Sequence, residues 1–272
     1  MAVLTSRNNP KVKQIRQLIG HRKERQASGL FVAEGIRHVG EAVQAKTKVE
    51  YICYAPELLT SEFARQLIQQ QLQSGIQCYA VDRETFASLA GKDNPQGIIA
   101  VVHQRRVGLD ELSPGNFSWG VALVAPQDPG NIGAILRTVD AVGAGGVLLL
   151  DDPENKQYST DPYHPSSVRA SMGSIFWYPL VTATFSAFHQ WTQQAGYKVY
   201  GTSAHAVLGY RQISQYERPL ILLMGSEREG LTPTQTAACG VMLTIPMQGR
   251  VTSLNLAVAT GVMLYSIFEK II

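Results

Sequence analysis

A chain of 272 residues, 45% hydrophobic and 17% charged, has the length and apolar content to bury a substantial core and reads as globular and soluble, in one large domain or two ordinary ones. Its net charge of +3 is too small to define a partner, and the three widely spaced cysteines, Cys53, Cys78 and Cys239, exclude a disulfide framework and a paired zinc-ligand pattern. Charges sit where a signal peptide needs its apolar core, the apolar C-terminal run is short for a bilayer span and contains Asn255, and the histidines are scattered; a cytoplasmic protein without membrane or metal is expected.

Residues 10 to 26 read as a basic helix after Pro10, with Val12, Ile15, Leu18 and Ile19 as its apolar stripe. Residues 1 to 25 hold Arg7, Lys11, Lys13, Arg16, Arg22, Lys23 and Arg25 against one acid, Glu24. Such a patch favours a polyanion such as nucleic acid, although a solvated basic helix face is the commoner explanation. Next come a strand at 31–35, a helix at 36–45, a strand at 51–54, a helix at 61–73, a strand at 77–81, a helix at 83–90 and a strand at 97–102. This alternation predicts a small α/β layer fold. Residues 104–118 lose periodicity and gather Gly, Pro and charge, which places domain boundaries at 1–105 and 119–272 with a linker at 106–118.

The second half opens with the continuous apolar run Val121 to Ala125, typical of a parallel strand covered on both faces. A helix from about Ile132 to Val142 follows, then strands at 147–150, 198–202, 220–224 and 241–245, with helices at 166–172 and 185–195 between them. The series predicts a doubly wound, Rossmann-like parallel sheet with its ligand at the carboxyl ends of the strands. After Pro246 and Gly249 the chain turns helical, and from Leu254 to Phe268 nearly every residue is apolar or small. A helix apolar all round is buried by its own domain or by a second subunit, so Ser253 and Asn255 are expected to enter a dry region.

Three loops leave strand ends of this sheet. In the first, Asn131 takes the helix N-cap and Arg137 either faces the space beyond the strands or pairs with Asp140 at i+3. The second, Gly225 to Leu231, carries Glu227 between two glycines, in a ligand site or a plain turn. In the third, Thr252 or Ser253 serves as an N-cap or as part of the same pocket. Together they suit a small-molecule site. No Gly-x-Gly-x-x-Gly follows the first strand, which disfavours a nicotinamide-dependent oxidoreductase, and no Walker lysine pattern is present.

The segments Pro126-Gln-Asp-Pro-Gly-Asn-Ile-Gly-Ala-Ile-Leu-Arg-Thr138, Val168-Arg-Ala-Ser-Met-Gly173, Gly225-Ser-Glu-Arg-Glu-Gly-Leu231 and Ile245-Pro-Met-x-Gly-x-Val-x-Ser-Leu-Asn255 resemble, in wording, order and spacing, the motifs of the SpoU-type (TrmH-like) RNA 2′-O-ribose methyltransferases. The first half is similar to that family's auxiliary RNA-binding domain, with its ribosomal-protein-like fold, through Asn9-Pro10-x-Val12-Lys13, Phe31-Val32-x-Glu34-Gly35 and Pro95-Gln96-Gly97-Ile98.

The resemblance implies a catalytic domain whose C-terminal segment threads a deep trefoil knot, binds S-adenosyl-L-methionine and works as a homodimer on structured RNA, ribosomal RNA first and transfer RNA second. It implies Asn131, Arg137, Glu227, Ser253 and Asn255 as active-site residues. Thr202, Met224, Gly225, Gly230, Ile245, Met247, Ser253 and Leu254 would line the methyl-donor pocket, and Arg169 would join the N-terminal basic residues on RNA. The sequence departs from the family's second motif at Ser226, where Asn is usual, and at Arg228, where Gly is usual. Family usage makes the motif-one arginine the base; a guanidinium is effectively always protonated, so Arg137 reads better as a bidentate phosphate clamp. A non-catalytic RNA-binding factor that keeps the fold is the rival expectation.

Overall fold

The structure, a computed structural model, describes residues 3–90 and 95–272 and divides the chain into two compact units. The first comprises Met1–Arg105 together with Asp161–Trp177; the second comprises Arg106–Thr160 and Tyr178–Ile272.

In the first unit, α1 (Pro10–Gly20) opens where the Asn9 side chain accepts the Lys11 amide at 2.9 Å and Pro10 presets φ, and it buries Val12, Ile15 and Leu18. The single helix expected over 10–26 is two: an extended His21 (φ −126°) separates α1 from α2 (Arg22–Ser28). Then follow β1 (Leu30–Glu34), α3 (Ile36–Gln44), β2 (Val49–Tyr54), α4 (Glu62–Gln73), β3 (Cys78–Ala80), α5 (Arg83–Ala87) and β4 (Ile98–His103). The sheet order is β1-β4-β2-β3, antiparallel except for the parallel β2–β3 pair. One face packs Val32, Tyr51, Cys53, Ile99 and Val101 beneath the apolar stripe of α1.

The second unit is built on β5 (Trp119–Val124), α6 (Pro129–Val142) and β6 (Val147–Asp151). The chain then leaves for the first unit, forming α7 (Pro165–Ala170), and returns as β7 (Leu180–Thr184), α8 (Phe185–Ala195), β8 (Lys198–Thr202), β9 (Leu208–Gly209), β10 (Leu220–Met224), α9 (Pro233–Ala237), β11 (Val241–Thr244) and α10 (Leu256–Lys270). All seven strands are parallel, in the order β7-β6-β5-β10-β8-β11-β9. Alternate residues Ala122, Val124, Leu148, Leu150, Ile221 and Leu223 form a core with Phe188 and Tyr197 on one face. α10 starts beyond β11 yet packs against α6 and β10. The C-terminal segment therefore turns back from β11 toward β10 and α6, the kind of return crossing that a C-terminal knot requires.

Two boundaries differ from the sequence reading. The stretch expected as a linker packs in the second unit: Phe117 is fully buried, its carbonyl accepts from the Tyr197 hydroxyl at 2.6 Å, and the Leu112 carbonyl accepts from the Trp191 indole at 3.3 Å. Residues 161–177, expected in the second half, fold with the first. They are held there by Arg25, 2% exposed, whose Nε lies 2.6 Å from Asp161 Oδ2 while its Nη1 donates to the carbonyls of Leu18 and Ile19. Phe31 of β1 meets the Tyr163 ring at 4.7 Å and stacks on Phe176 at 5.8 Å.

Candidate active site

Parallel order puts the carboxyl ends of β5, β10, β8 and β11 side by side, so the three loops singled out in the sequence leave one edge of the sheet. Hydrogen bonds join them. Asn131 Nδ2 donates to Glu227 Oε1 at 3.0 Å, the Gln127 amide donates to Glu227 Oε2 at 2.8 Å, and Asn255 Nδ2 donates to Asn131 Oδ1 at 3.0 Å. Asn255 Oδ1 accepts from the amides of Ala257 and Val258 at 2.9 and 3.3 Å, so the chain of bonds ends on the first turn of α10.

Local sequence explains each placement. α6 begins three residues earlier than expected, because Asp128 caps the Gly130 amide and Pro129 takes the first turn. Asn131 is consequently not a cap; it lies inside the first turn, 7% exposed, with its amide aimed at Glu227. Asn255, rather than Thr252 or Ser253, is the N-cap of α10. Ser253 and Asn255 are exposed in the single chain instead of dry, as is most of the loop from 246 to 253 that leads to them. Gly225 must be glycine: a Cβ there would lie 2.3 Å from the Gly230 carbonyl carbon. The fold-back is locked by the paired backbone bonds between Ser226 and Gly230, at 3.1 and 3.0 Å, and the Ser226 hydroxyl accepts from the Glu229 amide at 3.3 Å. The serine thus supplies loop closure from its own side chain.

Arg137 projects from α6 into solvent and has no ion-pair partner among the described residues; Asp140 instead accepts from the Tyr178 hydroxyl at 3.1 Å. A guanidinium fork left open to solvent can hold a phosphate through two parallel hydrogen bonds. Met224 is buried at the end of β10, and the Thr202 hydroxyl, at the end of β8, donates to its sulfur at 3.4 Å. Ile245, Met247 and Leu254 are half-buried around the third loop, and Gly230 (φ +69°) has open space where a Cβ would stand. Among the described residues, no backbone amide from Met247 to Asn255 donates a hydrogen bond within the chain. Free backbone donors beside apolar side chains are a fitting lining for an adenosyl group with a sulfonium.

A supporting network carries no signal in the sequence. Gln235 of α9 is fully buried, donates to Asp152 Oδ2 at 2.7 Å and to Gln157 Oε1 at 3.3 Å, and Gln157 donates to Glu229 Oε2 at 2.9 Å. The loop carrying Glu227 is thereby braced from outside. The Gln127 side chain ties the first loop to the carbonyls of Ala125 and Tyr158 at 2.7 and 2.8 Å. Glutamines at such separations have no periodicity or motif to reveal them.

In the first unit, Arg7, Lys13, Arg16, Arg22 and Lys23 are exposed. Lys11 is half-buried, its ammonium 4.3 Å from the Tyr51 ring centroid. Arg25 is the exception to the expected RNA contacts: its guanidinium is spent inside the fold on Asp161. Arg169 is one-third exposed, 4.0 Å from Glu34. Among the described residues no group of His, Cys, Asp and Glu is arranged to hold a metal, and no helix is long and apolar enough to cross a membrane. Burial pushes the Cys53 thiol up to about 12 and those of Cys78 and Cys239 to about 11.

Known proteins share this architecture. Residues 118–265 match the SpoU rRNA Methylase family, and residues 9–100 match an MRM3-like substrate binding domain. The chain is 31% identical to the 23S rRNA (guanosine(2553)-2'-O)-methyltransferase RlmP of Bacillus subtilis, over 97% of this chain and 98% of that protein. It is likewise 31% identical to the 23S rRNA (uridine(2479)-2'-O)-methyltransferase of Streptomyces viridochromogenes, over 96% and 90%. The crystal structure of an AdoMet-bound rRNA methyltransferase from Sinorhizobium meliloti superimposes with a TM-score of 0.86 at 35% identity, covering 97% of this chain and 96% of that one.

Proposed function

The chain belongs to the SpoU rRNA methylase family, and from that premise we propose that it transfers a methyl group from S-adenosyl-L-methionine to one ribose 2′-hydroxyl of a ribosomal RNA loop. The observation that carries this reading is the unbroken line of hydrogen bonds Glu227–Asn131–Asn255, which draws three loops into one constellation beside the Met224 and Thr202 corner. A ribosomal substrate is supported by the relatives, whose names place their own methyl groups on 23S rRNA. A loop rather than a plain duplex is the form in which a ribose and its base are individually accessible.

When bound, S-adenosylmethionine supplies an electrophilic methyl group on a sulfonium, and charge is neutralised as the ribose oxygen attacks. Alignment is then the main demand on the protein. Glu227 and Asn131 fix the loops, the free amides of residues 247–255 bind polar edges of the donor, and Ser253 faces the incoming ribose. Arg137 grips an RNA phosphate through its fork, and the hydroxyl proton leaves to that phosphate or to water, since a guanidinium is not a base at neutral pH.

The protein works as a homodimer through α10. Its support is an apolar stripe left uncovered in the single chain, with Val258, Tyr265 and Phe268 each about half exposed on a helix otherwise packed on α6. The three cysteines are unbridged, which supports the reducing environment of the cytoplasm.

Ribose-methylation mapping of total RNA from cells with and without the protein tests the reading. One protected site in ribosomal RNA that appears only with the protein is expected. A site confined to transfer RNA would replace the substrate, and donor binding without any RNA methylation would leave a binding factor in place of an enzyme. Light scattering that finds a monomer at micromolar concentration would remove the dimer.

A further inference from the structure

The excursion 161–177 ends on an aromatic residue that the fold does not use as core. Phe176 is 6% exposed and stacks on Phe31, whereas its neighbour Trp177 is 47% exposed. Trp177 is nevertheless fixed: its indole N–H donates to Glu41 Oε2 at 2.8 Å. The turn that delivers it lies hard against α3, because Gly173 (φ +104°) brings the backbone so close that a Cβ would sit 2.5 Å from Glu41 Cγ. One turn earlier on α3, exposed Arg37 donates from Nε to the Met172 carbonyl at 3.1 Å. Arg169, on the same excursion, is a second partly exposed cation. Glu41, the carboxylate that touches the indole, is occupied by it.

A large ring held at its edge, half open to solvent and accompanied by arginine, has the features of a stacking platform for a single-stranded nucleic acid: every base has a π-face, and the cation meets the adjoining phosphate. We propose that Trp177 is a base-stacking site of the first unit, taking an unpaired base of the substrate RNA with Arg37 on the backbone beside it. The proposal rests on the RNA-modifying reading above and adds to it a specific contact for an unstacked nucleotide, apart from the basic face of α1 and α2. The anchoring bond to Glu41 means that little side-chain freedom is lost on binding.

The test compares full-length wild type, W177A and W177F on two probes, a twelve-nucleotide uridylate single strand and a blunt RNA duplex of equal length. W177A is expected to weaken single-strand affinity by about five- to a hundredfold while changing duplex affinity less than twofold, and W177F to retain most of it. In methylation assays with total ribosomal RNA, W177A is expected to raise KM and leave kcat within about twofold. Equal single-strand affinity of folded W177A and wild type would overturn the platform. Should W177A not fold, fluorescence decides: the single strand is expected to quench tryptophan emission in wild type and not in W177F, since Trp119 is buried and Trp191 is packed in the second unit. The same quench in both would overturn the proposal. Wild type that binds the single strand through Trp177 but methylates no RNA would sink the enzymatic reading and leave the platform standing.

Discussion

Asn131 and Glu227 lie ninety-six positions apart in the chain and 3.0 Å apart in space, the amide nitrogen of one on the carboxylate of the other. Each leaves the end of a different strand, β5 or β10, and those strands are neighbours in the sheet. The bond makes the first two loops one object, and Asn255 adds the third.

Replacing Asn131 separates them. N131A is expected to lower single-turnover methyl transfer by about 10- to 100-fold, equivalent to about 1–3 kcal/mol for a missing hydrogen bond to a charged group. N131D sets a second carboxylate against Glu227 and is expected to be worse than N131A at pH 8. Rapid-quench assays with labelled donor check both, and activity of N131D equal to wild type would show that the pair has no part in the site.

Arg137 is exposed and has no ion-pair partner among the described residues, so its replacement should not disturb folding. R137K keeps charge and loses the fork; it is expected to reduce kcat/KM by about 1–3 kcal/mol or more, with a melting temperature within about one degree of wild type. Near-wild-type turnover would dismiss the clamp.

The basic face and the buried arginine should part company. Charge removal at Lys13, Arg16 and Lys23 is expected to leave stability unchanged and to flatten the dependence of RNA affinity on salt, by about 0.7 to 0.9 in log–log slope for each phosphate no longer neutralised. R25L leaves Asp161 buried without its cation and is expected to cost about 3–5 kcal/mol, with the salt slope unaltered if the variant is assayed while folded. Denaturant titration and filter binding across a salt series separate the two. An R25L protein as stable as wild type would refute the staple.

Thiol chemistry has a defined pH window. Burial raises all three cysteines well above the free value, Cys53 to about 12 and Cys78 and Cys239 to about 11. A raised thiol pKa means a protonated, unreactive sulfur below it, so at pH 8 the thiolate fraction is about one in a thousand or less. Alkylating reagent at pH 8 is expected to leave native protein active and unmodified, with three thiols appearing after denaturation. Rapid labelling of the native protein followed by mass spectrometry would contradict this.

The parallel sheet and the three loops at one edge of it are legible in the sequence because apolar runs such as Val121 to Ala125 and Leu220 to Met224 are buried on both faces, and because the motif residues sit directly at their ends. The short edge strands β7 and β9 are not: the later residues of β7 are exposed, which removes the apolar run, and β9 has two residues. Asparagine suits a cap, which is why local pattern places Asn131 there, yet Asp128 competes for the position three residues earlier with Pro129 behind it. Arg25 has the look of a surface cation since it falls in a basic run; only its partner 136 positions away reveals its burial. Gln235, Asp152 and Gln157 act through bonds among distant loops, for which no local pattern exists.

The passage of residues 161–177 from the second unit to the first has a practical corollary. The polypeptide passes between the units at 105–106, 160–161 and 177–178, so neither is a contiguous stretch of the gene. A clone ending at residue 105 would lack Asp161, Tyr163 and Phe176, stranding Arg25 without a counter-charge and Phe31 without its ring neighbours. Any graft of the first unit onto another protein must therefore carry two pieces of chain, and loss of either piece would be felt first as insolubility.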